Sequence, residues 1–334
     1  MAQKRQFALL GTGFIGQVHA KNLAAHPDSE LVMVADQDSA RADEIATRYG
    51  ARVGSVLDAI NSDAIDSVLI ATSTPSHAEF LTAAVAAGKA VYCEKPIDLS
   101  LDKARRVVDE VSRYQAAVTV GFNRRFDPSH NQLKQHFQQG LLGKAELIQM
   151  VCRASELPPL SYLQTSGGQM RDQAIHFFDL LRWLTGDEVD TIGALGSALA
   201  MPEIAQFGDV DTSVLIMKMH SGALAQLDNT RRTGYGYEER ITLLGAKGMS
   251  ESGAQSPAGA TLYTTEGITR PALYADWFNR VKETYYLHLD AFVRSLNGES
   301  VSVPGLQDGL QAQAIAEAAV KSLETGRFCQ VQRL

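Results

Sequence analysis

Between Phe7 and Gly121 short apolar runs alternate with longer helical patterns, and few folds accommodate that rhythm. The apolar runs are Phe7–Leu10, Leu31–Ala35, Val68–Ala71, Ala90–Cys93 and Val118–Val120. The segments between them, near Ile15–Ala25, Ala40–Tyr49, Ala78–Ala87 and Leu101–Tyr114, have helical periodicity. Strands that are apolar on both faces and joined by helices make a parallel sheet with helices on its two sides. After Gly121 the rhythm changes. Helices near Pro128–Gln139 and Asp172–Leu184 accompany the strand-like runs Ala145–Cys152, Val214–His220, Ala223–Asn229 and Glu239–Leu244, and helical patterns return at Tyr286–Leu296 and Leu310–Leu323. Successive strands without helices between them point to a mixed or antiparallel sheet. The expectation is an α/β chain in two domains, with residues 1–122 forming the parallel-sheet domain and residues 123–334 forming an α+β domain with a large open mixed sheet.

Charge and cysteine usage narrow the partners. The 31 basic and 38 acidic side chains leave a net charge of -7, a field that repels a nucleic-acid backbone. Cys93, Cys152 and Cys329 lack CxxC spacing and leave one over after any pairing, as expected of reduced thiols, so neither a metal site nor a disulfide framework is expected. The run Phe7–Leu10 is cut short by Gly11 and reads as a first strand and not a signal. No stretch approaches the roughly 18 apolar residues that cross a bilayer. A cytoplasmic location is expected.

Gly11-Thr12-Gly13-Phe14-Ile15-Gly16 follows the first strand and opens a helix. Such a turn needs glycine for its bend and for close backbone approach to a pyrophosphate, which the positive helix N-terminus attracts. Asp36, 20 residues past Gly16 at the end of the second strand, is placed to bind adenosine ribose hydroxyls. Its charge opposes a 2′-phosphate, so NAD is expected over NADP, although Arg41 stands a few residues on. This is the Rossmann arrangement, and residues 1–122 are expected to bind a dinucleotide. Thr72-Ser73-Thr74-Pro75-Ser76-His77 follows the next strand at the carboxyl edge, where Thr72, Ser73 and Pro75 can line the nicotinamide side. His77 is open to two readings, a cofactor contact or a local bond at a helix start. Glu94 and Lys95, in Cys93-Glu94-Lys95-Pro96, end the Ala90–Cys93 strand at the same edge, where a lysine can hydrogen-bond a reacting oxygen.

With these motifs in order, followed by GFNRRFD (Gly121–Asp127) and GGQMRDQAIHFFD (Gly167–Asp179), the chain resembles the glucose–fructose oxidoreductase / inositol dehydrogenase family of NAD(P)-dependent enzymes over nearly its whole length. Within that family it looks most like the inositol 2-dehydrogenases, on GDVDT (Gly208–Thr212), LDNTRRTGYGYEER (Leu227–Arg240) and LGAKGM (Leu244–Met249). Asp172 and His176 are four residues apart, which sets both on one face of a helix. A histidine beside a carboxylate is oriented and poised near neutral pH, as a general base requires. The resemblance implies that His176 takes a hydroxyl proton while hydride leaves the same carbon, that Lys95 polarises the oxygen, and that Asp172 binds a neighbouring hydroxyl.

Arg153 and Tyr235 are further candidate substrate contacts, with a structural role equally open to Tyr235. Asn123, Arg124 and Arg125 fit either an interdomain ion pair or a substrate contact. Ala154 stands where inositol-type relatives often carry a polar side chain, which leaves another inositol isomer or a pyranose sugar open as the substrate. A catalytically silent NAD-binding sensor on the same fold is the reading from another class, and the set Lys95, Asp172 and His176 argues against it. Relatives commonly associate through the second domain's sheet, so a homo-oligomer, dimer or tetramer, is expected.

Overall fold

The computed structural model describes residues 4–334. The chain forms two compact units, Met1–Asn123 with Thr284–Gln313 and Leu334, and Arg124–Glu283 with Ala314–Arg333.

The first unit runs β1 (Arg5–Leu10), α1 (Phe14–Ala25), β2 (Ser29–Ala35), α2 (Ser39–Tyr49), β3 (Arg52–Val53), α3 (Val56–Asn61), β4 (Ser67–Ile70), α4 (His77–Ala86), β5 (Ala90–Cys93), α5 (Leu101–Val111) and β6 (Val118–Val120). Its six strands lie in the order β3-β2-β1-β4-β5-β6 and every pairing is parallel. That is the doubly wound order whose direction reverses between β1 and β4, where such sheets bind ligands. The five apolar runs are all strands. Two short elements escaped the pattern: β3 has two exposed residues, and α3 spans only six, held by a capping box in which Ser55 and Asp58 exchange bonds.

The second unit begins with α6 (Pro128–Gln138), β7 (Ala145–Arg153) and α7 (Leu160–Leu163). A five-residue π-helix, Met170–Ala174, then runs directly into α8 (Ile175–Thr185). After it come β8 (Val189–Ser197), β9 (Thr212–Met219), β10 (Leu224–Thr230), β11 (Glu238–Gly245), β12 (Gly248–Glu251), β13 (Leu262–Thr264), β14 (Gly267–Thr269), α9 (Trp277–Leu296), α10 (Leu306–Thr325) and β15 (Cys329–Gln330). Seven strands form a mixed sheet in the order β12-β11-β7-β10-β9-β8-β15, in which only β7 and β10 are parallel.

Alternation assigns the two faces of this sheet. In β9, Ser213, Leu215, Met217 and Met219 are buried while Val214, Ile216 and Lys218 are exposed. The side-chain amide of Gln173 donates to the Cys152 sulfur and the Thr230 carbonyl, so the helical segment that ends in α8 covers the buried face. On the other face Leu195, Val214, Ile216, Leu224 and Leu244 are exposed. β8 is not evident in the sequence, since its VDTIGALGS carries too many small residues for a strong apolar signal.

Residues 284–313 differ from the expected division, which gave everything after 122 to the second domain. Leu289, Phe292 and Val293 of α9 are buried with Phe7, Leu9, Leu23 and Leu69 in the core of the first unit. Periodicity identifies a helix and its apolar stripe, and says nothing of which core receives the stripe. Among the described residues no helix is long and apolar enough to cross a membrane.

Candidate active site

The glycine turn is shaped by what a side chain would strike. Gly11 has φ of +91°, and a Cβ there would lie 2.5 Å from the Ala71 carbonyl oxygen. A Cβ on Gly16 would lie 2.1 Å from the Gly11 oxygen, so α1 can meet the strand this closely only through glycine. A Cβ on Gly13, by contrast, would meet nothing within 4 Å, and Gly13 begins α1 without a side-chain cap. Open space at the positive end of a helix suits a pyrophosphate. Ile15 is half-buried and Phe14 exposed at that same end.

Asp36 is tied to this turn. One carboxylate oxygen accepts from the Thr12 backbone (2.6 Å) and hydroxyl (2.7 Å), and the other from the Asp38 N–H (2.8 Å) and the Arg41 guanidinium (3.4 Å). Burial raises its pKa, but these donors and the Arg41 charge outweigh burial and hold the carboxyl below the ordinary carboxylate range. The group is therefore anionic at any working pH. These residues fit NAD. Asp36→Ser is expected to weaken NAD and spare NADP, measured as Kd by quenching of protein fluorescence; unchanged NAD affinity would remove Asp36 from the ribose site.

Ser73 and Pro75 are exposed after β4 and Thr72 is partly buried, its hydroxyl accepting from Ser76. His77 is buried, with ring nitrogens 2.8 Å from the Pro96 oxygen and 3.0 Å from the Thr72 oxygen. Its ring braces the Thr72 loop against the Lys95–Pro96 loop, the local-bond alternative. Lys95 is partly buried after β5 and precedes a cis proline. Glu94 beneath it is fixed at both oxygens, accepting from the Lys95 N–H at 3.3 Å and lying 2.8 Å from His19 Nε2. His19 escaped the sequence reading because it sits on the first helix as an ordinary buried position.

In the second unit Asp172 lies in the π-helix and His176 in the first turn of α8, so the two occupy successive turns of one continuous helix. A π-turn widens the helix locally and is frequent at functional sites. Asp172 Oδ1 accepts from the Tyr162 hydroxyl at 2.8 Å, and Oδ2 lies 3.5 Å from Arg231 Nη2. His176 is buried. Neither Tyr162 nor Arg231 was singled out from sequence. Arg231 had a signal: the buried positions Ala225, Leu227 and Asn229 in β10 continue, two residues on, to an arginine.

Arg153 and Tyr235 come together elsewhere. Arg153 binds both oxygens of Asp228, and donates to the Tyr235 hydroxyl (3.0 Å) and Glu238 (3.3 Å). Arg153 follows Cys152 in β7 and therefore points to the opposite face of the sheet, away from the face that the Asp172–His176 helix covers. Tyr235 is 49% exposed and not buried. Arg124 and Arg125 pair inside the second unit, with Glu239 at 3.1 Å and Asp179 at 2.5 Å. Both pairs are buried, while Asn123 bonds Thr284 in the first unit.

Residues 5–122 match the oxidoreductase family with an NAD-binding Rossmann fold, and residues 130–251 match the GFO/IDH/MocA C-terminal domain. The chain is 39% identical to an inositol 2-dehydrogenase from Rhizobium meliloti, covering 96% of this chain and 98% of that one. The chain belongs to this oxidoreductase family. It is also 34% identical to a myo-inositol 2-dehydrogenase of Thermotoga maritima, covering 98% of this chain and 99% of that one. A solved scyllo-inositol dehydrogenase from Lactobacillus casei, with bound NAD(H) and scyllo-inositol, superposes with a TM-score of 0.90 at 27% identity, covering 98% of this chain and 99% of that one. Membership in the family makes this chain an NAD-dependent oxidoreductase acting on a CH–OH group.

Proposed function

We propose that the chain is an NAD-dependent dehydrogenase of inositols, oxidising one ring hydroxyl to a ketone. The reading is supported by relatives named for inositol oxidation and by a solved relative that holds NAD(H) and scyllo-inositol. The observation that carries it is the Asp172 carboxylate, bonded by the Tyr162 hydroxyl at one oxygen and 3.5 Å from the Arg231 guanidinium at the other, one helical turn before a buried histidine. Bound NAD supplies the hydride acceptor. His176 takes the proton of the reacting hydroxyl, Lys95 hydrogen-bonds the same oxygen as charge develops on it, and Asp172 accepts from a neighbouring hydroxyl.

Arg153 and Tyr235, bonded to each other and to Glu238, are further candidate substrate contacts in this reading. The second unit supplies Asp172, His176 and an association surface. The exposed Leu195, Val214, Ile216 and Leu224 favour a homo-oligomer, dimer or tetramer, through the open sheet face. Sedimentation at micromolar concentration that shows monomer alone would refute this. Reduced cysteines and the negative net charge accord with a cytoplasmic enzyme.

A panel of inositol isomers and aldoses with NAD, followed by absorbance of the reduced cofactor, tests the function. Turnover is expected with at least one inositol and to exceed that with any aldose. Preference for an aldose would move the substrate to the pyranose alternative that Ala154 leaves open, and no turnover with tight NAD binding would favour the silent sensor.

A further inference from the structure

Arg231 follows β10 with its side chain 2% exposed. An arginine stays protonated in a protein, and a buried cation is costly unless a counter-charge and hydrogen bonds meet it. The other buried arginines nearby follow that rule, Arg124 donating to Glu239 and Arg125 forking onto Asp179. Arg231 differs, since none of its Nε, Nη1 and Nη2 atoms has a hydrogen-bond acceptor among the described residues. The carboxylate near it is Asp172, with Oδ2 at 3.5 Å.

Neighbouring charges are turned elsewhere. The Asp211 carboxylate accepts from the N–H groups of Leu199, Ala200 and Met201 and from the Thr212 hydroxyl, while its carbonyl anchors the Arg231 N–H at 2.8 Å. Arg171 is paired with Glu317, Arg153 with Asp228 and Glu238, and Arg232 reaches the Ala200 carbonyl. The Tyr162 hydroxyl meets one oxygen of the Asp172 carboxylate and the Arg231 cation lies near the other, with His176 on the next helical turn.

We propose that Arg231 is a positioning residue for the dehydrogenase reaction: its buried, sparsely bonded guanidinium keeps Asp172 ionised and fixed in rotation, so that the carboxylate accepts from a substrate hydroxyl. The inference rests on the reading of Asp172 as a substrate-binding carboxylate. A cation fixed in low dielectric favours the ionised form of its neighbour, and also disfavours protonation of a nearby imidazole. Both effects keep the site competent toward lower pH.

The test is the pH profile of kcat/KM, with NAD and the best inositol of the panel, for the full-length wild type and Arg231→Met, Arg231→Gln, Arg231→Lys and Asp172→Asn. Loss of the cation in the Met and Gln variants is expected to move the acidic limb up by about one pH unit or more, and Arg231→Lys to return it toward the wild-type position. A merely structural arginine would lower the amount of folded enzyme without moving the limb. A neutral variant that melts and binds NADH as the wild type does, with its acidic limb in place, would overturn the proposal. The Gln variant, close in length and polar, serves if the Met variant does not fold. Near-normal turnover of Asp172→Asn would overturn the site reading itself, whereas an inactive Asp172→Asn beside unmoved Arg231 variants would overturn the role of Arg231 alone.

Discussion

Replacing His176 with alanine is expected to lower kcat for NADH formation by roughly 10²–10⁴-fold, the usual contribution of a positioned general base. The proton of the reacting hydroxyl must leave as hydride leaves the carbon, and the proposed site gives that proton to a buried imidazole on α8. Lys95→Ala is expected to lower kcat steeply as well, because the alkoxide-like oxygen loses a charged donor at the moment its charge grows. Steady-state absorbance of the reduced cofactor reads both, with the NAD dissociation constant of His176→Ala measured in parallel and expected to stay at the wild-type value. Near-normal turnover in either variant would remove that residue from the chemistry.

The largest expected loss of stability is at Glu239. Arg124 donates to it at 3.1 Å, the Tyr237 hydroxyl at 2.8 Å, and His130 Nε2 lies 3.6 Å away, all in the second unit. Asp127 and Arg280 form a second buried pair close enough for both charges to act on Glu239. Removing one partner of a buried pair strands the other, at a cost of about 3–5 kcal/mol. Set against a typical stability of about 5–15 kcal/mol, Glu239→Ala is expected to leave the protein marginal, a shift that urea unfolding would reveal. A midpoint within error of the wild type would show that Arg124 finds another partner.

The same network sets a pH dependence. Burial raises the pKa of Glu239 and of Asp127, yet neighbouring positive charge outweighs burial and leaves both below the ordinary carboxylate range. For Glu239 the Arg124 guanidinium is the largest such charge, and for Asp127 it is His130 followed by Arg280. A carboxyl whose folded pKa is depressed contributes stability in full above its unfolded value and loses it as the pH falls through the folded one. Acid unfolding is therefore expected to set in below the usual carboxylate range, and Glu239→Gln to flatten that part of the stability profile.

Much of the first unit was legible because its signals are local. A strand such as Ser67–Ile70, buried along its whole length, carries the apolar run Val68-Leu69-Ile70. Gly11 and Gly16 must be glycine because backbone atoms stand 2.5 and 2.1 Å from any Cβ. What sequence left hidden depends on long-range packing. Phe292 lies on an evident apolar stripe, yet only the fold places that stripe beside Phe7 and Leu9. Arg153 and His176 both read as polar residues in family-like motifs, and the alternation of one strand turns Arg153 to the opposite face of the sheet. Arg231 and Tyr162 were hidden for the same reason, since their bearing on Asp172 joins segments about 60 and 10 residues away.

The central claim is that Lys95, Asp172 and His176 gather on one polyol beside the nicotinamide. A crystal structure of the ternary complex with NADH and the best inositol tests it most directly. The account predicts Lys95 Nζ and a His176 ring nitrogen within about 3.2 Å of the same substrate oxygen, with Asp172 on an adjacent hydroxyl. A complex in which the polyol binds with either side chain directed away from that oxygen would contradict it.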